Sequence, residues 1–212
     1  MGLRSAKIHY ELFLLLESAS FVAELAVPAS QRKDVFAGQG NIYGVPDEVM
    51  FFAQAARLPG VRLIGEVGFN AGHSAISFLS QSEHSKLISF DLEEVKWASQ
   101  SLDFVHRLFP DRVDRLKGGS ETTVANFAKE DPRKFDLFAI DGNHFGQGPY
   151  LDMIHGRKAS RPGAYVIIDD WTPSFPDVRQ GWERAKKEKL LEEIVCVHDP
   201  SIRVYGYLKG VR

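Results

Sequence analysis

The segment from Arg62 to Ser74 limits what this chain can fold into more than any other part of its sequence. It has an apolar strand that ends at Glu66, a turn that contains Gly68 and Gly72, and a helix that begins at Ser74. A strand that ends in a carboxylate and is followed by a turn with little side-chain bulk can bind a small polar ligand at the edge of a sheet. The segment therefore predicts an α/β domain that binds a nucleoside-type cofactor. The alternative is an ordinary tight turn between a strand and a helix that the serine caps.

Strands and helices alternate along the rest of the chain, which predicts a doubly wound, mostly parallel sheet with helices on both faces. The last two predicted strands differ, because strands separated only by the turn His198–Ser201 must run antiparallel and form a hairpin. The predicted strands are 61–66, 86–91, 113–117, 135–141, 164–169, 190–197 and 202–208. The predicted helices are 6–26, 46–57, 74–81, 95–109, 121–129, 150–159 and 178–188.

Residues 1–45 are predicted to form an N-terminal element, and residues 46–212 the cofactor-binding domain. Apolar residues at helical spacing indicate an amphipathic helix over residues 6–26. Glutamates bracket its short apolar run, which argues against a signal peptide, and no stretch reaches the roughly 18 apolar residues of a membrane-spanning helix. The helix and the glycine-bearing loop 29–44 are expected either to cover the acceptor or to form a homodimer contact. The sequence does not separate these two roles.

The formal net charge of −2 and the single cysteine exclude several classes of function. A nearly balanced charge gives no excess of positive charge with which to bind nucleic acid or an anionic membrane. One cysteine, Cys196, permits neither an internal disulfide nor a cysteine-based zinc site. We therefore expect a cytoplasmic protein that acts on a small molecule.

The glycine pattern after Glu66 differs from the Gly-x-Gly-x-x-Gly of dinucleotide binders, which holds a pyrophosphate. A leading carboxylate repels phosphate but accepts hydrogen bonds from an ammonium group. The pattern therefore favours S-adenosylmethionine, which has an amino-acid tail and no phosphate. Asp91 ends the second predicted strand, where a carboxylate either binds both ribose hydroxyls or caps a helix. Ser120 follows the third strand and either leaves room for an adenine edge or caps the next helix.

Four segments make the chain resemble class I S-adenosylmethionine-dependent methyltransferases, in particular the metal-dependent O-methyltransferases of the catechol and macrolide-sugar type. They are Glu66–Ser74, Phe90–Asp91, Phe135–His144 and Arg161–Asp170. The resemblance implies a Rossmann-like methyltransferase fold, with a mostly parallel seven-stranded sheet and a C-terminal antiparallel hairpin. The cofactor-binding residues that it implies are Glu66, Gly68, Asn70, Gly72, Ser74, Asp91, Leu92, Ser120 and Asp141.

Acidic residues follow the fourth and fifth predicted strands, at Asp141 and at Asp169 with Asp170. Carboxylates at neighbouring strand tips repel one another unless a cation or a basic group lies between them. Oxygen ligands without cysteine favour Mg²⁺, with Mn²⁺ or Ca²⁺ as alternatives. The resemblance assigns the metal ligands to the same three residues. The alternative is that Asp169 and Asp170 cap the following helix and Asp141 shapes a loop.

His144 lies three residues after Asp141. In the resembling enzymes a Lys or His at this place acts as the general base, and an imidazole titrates near neutral pH as that role requires. His144 and Asp141 are therefore the predicted catalytic residues. If His144 instead binds the metal, another base is needed. Trp171 and Phe175 are expected to wall the acceptor pocket or to pack in the core.

The predicted reaction is metal-assisted methyl transfer to a hydroxyl group of a small acceptor. Two alternatives stay open. One is metal-independent transfer to nitrogen or carbon, and the other is a cofactor-binding interaction protein without turnover. The sequence does not distinguish a catechol, a sugar hydroxyl or a natural-product phenol as the acceptor.

Overall fold

Strands and helices alternate along the chain in this computed structural model, which describes residues 2–35, 42, 45–197 and 203–208. Residues 36–41 and 43–44 of the predicted loop and the predicted turn at 198–201 lie outside the described residues. The strands are β1 (Leu63–Val67), β2 (Lys86–Asp91), β3 (Val113–Lys117), β4 (Phe135–Ile140), β5 (Ser160–Ile168), β6 (Leu191–Val197) and β7 (Arg203–Leu208). The helices are α1 (Gly2–Leu25), α2 (Pro46–Ala55), α3 (His73–Ser80), α4 (Ala98–Leu108), α5 (Ser120–Glu130), α6 (Gly148–Ala159) and α7 (Pro176–Lys187).

The sheet has the strand order β3-β2-β1-β4-β5-β7-β6. Strand β4 pairs in parallel with β1 and with β5, so that Val67 lies opposite Ile140 and Ile140 opposite Ile168. Strand β7 runs antiparallel to both β5 and β6. The predicted α/β Rossmann-like architecture is confirmed, with five parallel strands, β1 to β5, followed by the antiparallel C-terminal addition.

The strand order reverses its direction between β1 and β4. In open α/β sheets, the loops after two such strands diverge and leave a crevice that binds ligands. The main chain keeps the two strand ends together, because the amide nitrogen of Asp141 donates to the carbonyl oxygen of Val67 at 2.9 Å. The residues that follow β1 and β4 are therefore the first place to look for a functional site.

Residues contact one another mostly within two compact units, of which the second contains most of the sheet. The second unit comprises Gly60–Gly68, Leu87–Leu92 and Arg115–Arg212. Its core contains a group of phenylalanines from β2, α5 and β4. Phe127 and Phe135 stack with ring centroids 4.8 Å apart, and Phe90 meets Phe135 edge to face at 6.0 Å. Trp182 of α7 is fully buried in the same core. Because β4 is buried along its whole length, its sequence is continuously apolar except for Asp136.

The first unit comprises Met1–Pro59, Phe69–Lys86 and Glu93–Asp114. The predicted amphipathic helix is present as α1, and its buried residues recur at helical spacing: Leu12, Leu16, Ala19 and Ala23. Among the described helices, none is both long enough and apolar enough to cross a membrane. The predicted domain boundary at residue 45 stays a prediction.

Several element boundaries differ from the sequence-based expectation. Part of the predicted loop, Ala29–Asp34, is a short 3-10 helix. Helix α6 begins at Gly148, two residues earlier than expected, because Pro149 suits a first helical turn. Strand β5 begins at Ser160 because that residue pairs with Phe135 before a shift in register.

Candidate active site

Three polar side chains converge where β4 and β5 end. The Nε2 atom of His144 lies 3.3 Å from Oδ1 of Asp141 and 3.3 Å from Oδ2 of Asp170. One ligand atom from each of the three residues lies within 4.8 Å of the other two. All three belong to the second unit, and all three are at least partly accessible to solvent. The structure thus brings together two predicted metal ligands and the predicted base.

Asp169, the remaining predicted metal ligand, is not a member of this group. It is buried, its amide nitrogen donates to the carbonyl oxygen of Ile140, and its Oδ1 accepts from the amide nitrogen of Asp170 at 2.6 Å. Asp170 has a positive φ of 53°, so the chain turns sharply there. Adjacent residues at such a turn present their side chains in different directions, which the sequence pattern of two consecutive acids did not reveal.

The electrostatics of the group suit a cation. Burial lowers the pKa of His144, but the hydrogen bond to Asp141 and the negative charges of Asp141, Asp170 and Asp169 outweigh burial and raise the pKa above its usual value. Carboxylate oxygens are the ligands that Mg²⁺ prefers, and an imidazole nitrogen suits Mn²⁺ better than Mg²⁺. The donor set therefore fits one divalent ion.

Aromatic side chains border the group. The ring of Phe175 lies 4.7 Å from the ring of His144, and Phe145 meets Phe175 edge to face at 6.2 Å. Phe145 is 67% exposed, so its ring is available to a ligand beside the group. Trp171 and Phe175 also pack against the core of the second unit. The sequence analysis did not identify Phe145 as a site residue, although Phe145 directly follows His144 in the sequence.

The predicted cofactor residues of the second unit lie at the ends of β1, β2 and β3. Glu66 is almost fully buried in β1, whereas Leu92 is exposed just beyond β2. The carbonyl oxygen of Asp91 accepts a hydrogen bond from the amide nitrogen of Gly118. Ser120 is the first residue of α5, and its side chain hydrogen-bonds to Asp152 of α6.

Gly68, at the end of β1, has a structural reason to be glycine. Its φ is +92°, and a Cβ atom at this position would lie 2.0 Å from the carbonyl oxygen of Asp141. The close approach of the chain after β4 therefore excludes any side chain. This requirement exists whether or not a ligand binds.

In the first unit, the turn before α3 carries the other predicted cofactor residues, Asn70, Gly72 and Ser74. Oδ1 of Asn70 accepts a hydrogen bond from Nε1 of Trp97 at 2.8 Å. Gly72 has a φ of +80° and caps α3, which begins at His73 rather than at Ser74. His73 is buried, and its Nε2 lies 2.9 Å from Oγ of Ser20 in α1.

Residues 66–171 match the sequence model of a family described as methyltransferase domain. The chain belongs to this family. The resemblance to class I S-adenosylmethionine-dependent methyltransferases is thereby confirmed. Comparison with curated proteins gave no match.

Solved structures with the same fold include other methyltransferases. An O-methyltransferase from Bacillus cereus in complex with SAH has a TM-score of 0.75 at 20% identity, over 92% of this chain and 90% of that one. TomG from Streptomyces achromogenes, an O-methyltransferase involved in tomaymycin synthesis, was solved with SAM and has a TM-score of 0.71 at 17% identity, with coverages of 92% and 90%. SAH-bound PaMTH1 from Podospora anserina has a TM-score of 0.68 at 11% identity, with coverages of 98% and 97%. At these identities the similarity establishes the fold of this methyltransferase.

Proposed function

We propose that this methyltransferase transfers a methyl group from S-adenosylmethionine to a hydroxyl group of a small acceptor, with a divalent cation held at the ends of β4 and β5. The observation that supports this most directly is the convergence of Asp141, His144 and Asp170. Two carboxylates beside a histidine, at the edge where such sheets bind ligands, provide both a cation site and a proton acceptor. Neighbours of this fold that carry SAM or SAH support the choice of cofactor.

The proposed cofactor contacts in the second unit follow the chemistry of the strand ends. Glu66 accepts hydrogen bonds from the ammonium group of the methionine tail, and Asp91 accepts hydrogen bonds from the ribose hydroxyls. Ser120 and Leu92 are proposed to border the adenine. Asn70, Gly72 and Ser74 of the first unit stay predicted contacts, and the side chain of Asn70 already has Trp97 as a partner.

The protein's own groups divide the work of the reaction. Asp141 and Asp170 hold the cation, which when bound makes an acceptor hydroxyl more acidic. Nε2 of His144 accepts the hydroxyl proton, and Phe145 and Phe175 contact the acceptor and keep water from it. Asp169 orients Asp170 through the amide hydrogen bond rather than binding the ion itself. The cytoplasmic location of the enzyme is part of the same proposal.

His144 presents the same atom, Nε2, to both carboxylates, so the roles of base and metal ligand compete for one nitrogen. Calorimetry with Mg²⁺ and Mn²⁺ on the wild type and on D141N, D170N and H144A separates the two. We expect D141N and D170N to weaken ion binding by at least about tenfold. If His144 is the base, H144A binds the ion normally while turnover falls by roughly 10²- to 10⁴-fold.

Turnover is measured as SAH formed with catechols, phenols and sugar alcohols as acceptors, with and without EDTA. Loss of ion binding together with turnover in H144A would make His144 a ligand and require a different base. Turnover that survives EDTA would replace the proposal with metal-independent transfer to nitrogen or carbon. Failure of the wild type to bind SAH would refute the proposed function altogether.

A further inference from the structure

Asp152 is a buried acid that the proposed reaction does not use. It lies on α6 with only 1% of its surface exposed, and its Oδ2 has no hydrogen-bond partner among the described residues. A buried carboxylate is costly unless its charge is compensated. Among the described residues, the side chains that shift its pKa are Ser120 and Glu121, neither of which is a cation. A merely structural acid would be expected to have a cation or several donors, as Asp136 does.

Asp152 lies beside two loops of the proposed site. It hydrogen-bonds the side chain of Ser120, which begins α5 directly after the β3 loop. Its Oδ2 also lies on the side of Gly142 from which a side chain would project, since an added Cβ there would be 3.3 Å from it. Gly142 is the residue directly after Asp141. One carboxyl group therefore hydrogen-bonds at the end of the β3 loop on the cofactor side and lies beside the β4 loop on the catalytic side.

The position of Gly142 leaves no room for a side chain. An added Cβ atom would lie 2.6 Å from Cγ1 of Val67 and 3.3 Å from Oδ2 of Asp152. Burial raises the pKa of Asp152 to about 7, and the charge of Glu121 also raises it. The hydrogen bond with Ser120 opposes both effects. The carboxyl group is thus held by its position and by its single hydroxyl partner.

We infer that Asp152 is a positioning residue of the methyl-transfer site, which acts through Ser120 and Gly142 to hold the β3 and β4 loops in the arrangement that binds the cofactor. The inference rests on the proposed function, because it takes Ser120 as a cofactor contact and Asp141 as a catalytic group. In this role Asp152 is proposed to act without contacting the cofactor or the acceptor. Its effect is therefore expected in cofactor affinity and not only in stability.

The test measures the affinity of the full chain for SAH by calorimetry, together with thermal unfolding. D152L keeps the branched shape of the side chain and removes both oxygens, whereas D152N keeps an oxygen for the Ser120 hydroxyl. We expect D152L to weaken SAH binding by about tenfold or more, because a loop displaced by an ångström can cost that much or more. We expect D152N to bind within about threefold of the wild type, because the hydrogen bond is retained.

Asp136 provides a matched control. It is a buried acid of the same unit, at the opposite end of β4, where it pairs with Arg161 at 2.6 Å and accepts from the amide nitrogens of Arg62 and Leu63. D136N should lower the thermal midpoint and leave the SAH dissociation constant unchanged. This control separates lost stability from lost positioning.

The outcomes are distinguishable. A folded D152L that binds SAH as the wild type does would overturn the inference, and so would a D152N that is as weak as D152L. If D152L does not fold, the cycle of D152A, which removes both oxygens, with S120A and the double variant decides: coupling in SAH affinity supports the inference, and additivity overturns it. If the wild type binds no SAH, the proposed function itself has failed.

Discussion

At the scale of single residues, the turn after β1 shows how one position can serve both fold and site. The glycine pattern suggested a floor for a ligand, and the structure adds a second reason for Gly68. The carbonyl oxygen of Asp141 occupies the space in which a side chain would lie. Gly68, which precedes the proposed cofactor turn, must therefore be glycine because the chain after β4, where the proposed catalytic residue Asp141 lies, passes close to it.

Replacing Gly68 with alanine should destabilise the protein strongly. The substitution combines a positive φ with a clash against rigid main chain, and we expect a loss of about 3 kcal/mol or more in the free energy of unfolding. Urea denaturation measures this loss. Gly163 is the matched control, since its φ is +78° but nothing lies within 4 Å of an added Cβ. G163A should cost only about 1 kcal/mol, because it carries the backbone strain alone. Equal losses in the two variants would contradict the role assigned to the Asp141 carbonyl.

At the scale of elements, α1 is attached to α3 through a partly buried polar contact. Nε2 of His73, in the first turn of α3, meets Oγ of Ser20 in α1. Burial lowers the pKa of His73 to about 4, although a hydrogen bond that the imidazole donates to the backbone of Leu16 opposes this. The folded protein therefore keeps this imidazole neutral at pH values where the unfolded chain protonates it. The N-terminal helix thus has a polar attachment in addition to its apolar face.

This contact should make stability depend on pH. Because the folded pKa lies below the ordinary value of 6.5, the contribution of His73 is complete above about pH 6.5 and is lost as the pH falls towards 4. The difference corresponds to at most about 3 kcal/mol. Urea denaturation of the wild type and of H73Q between pH 4 and 8, a range chosen to bracket the two pKa values, measures it. The wild type should lose more stability than H73Q over the acidic part of the range, and parallel curves would contradict the assignment.

At the scale of the whole molecule, cofactor binding should stabilise the fold. A ligand that binds only the folded state adds about 2.7 kcal/mol at 100 times its dissociation constant. For a chain of this length, SAH at that concentration should raise the thermal midpoint by roughly 5–10 °C. ATP is the control, because it shares the adenosine but carries phosphates that the carboxylate of Glu66 repels. An equal shift with ATP would contradict the proposed recognition of the amino-acid tail.

The sequence by itself determined the α/β class, the limits of β2 and β3, and the acids and histidine that follow β4 and β5. These features are local: a continuous apolar run predicts a buried strand, and the residue after it lies at a known edge of a parallel sheet. The methyltransferase resemblance depended on such local segments. Their order along the chain therefore carried most of the information about fold and family.

Only the tertiary structure decided which side chains meet. It separated Asp169 from Asp170, brought His144 between two carboxylates, buried His73 against α1 and set Asp152 between two loops. Each of these outcomes depends on the direction of a side chain at a turn or on a partner far away in the sequence. Hydrophobic periodicity fixes which face of an element is buried, but a turn has no such period, so its side-chain directions follow from the packing of the surrounding elements.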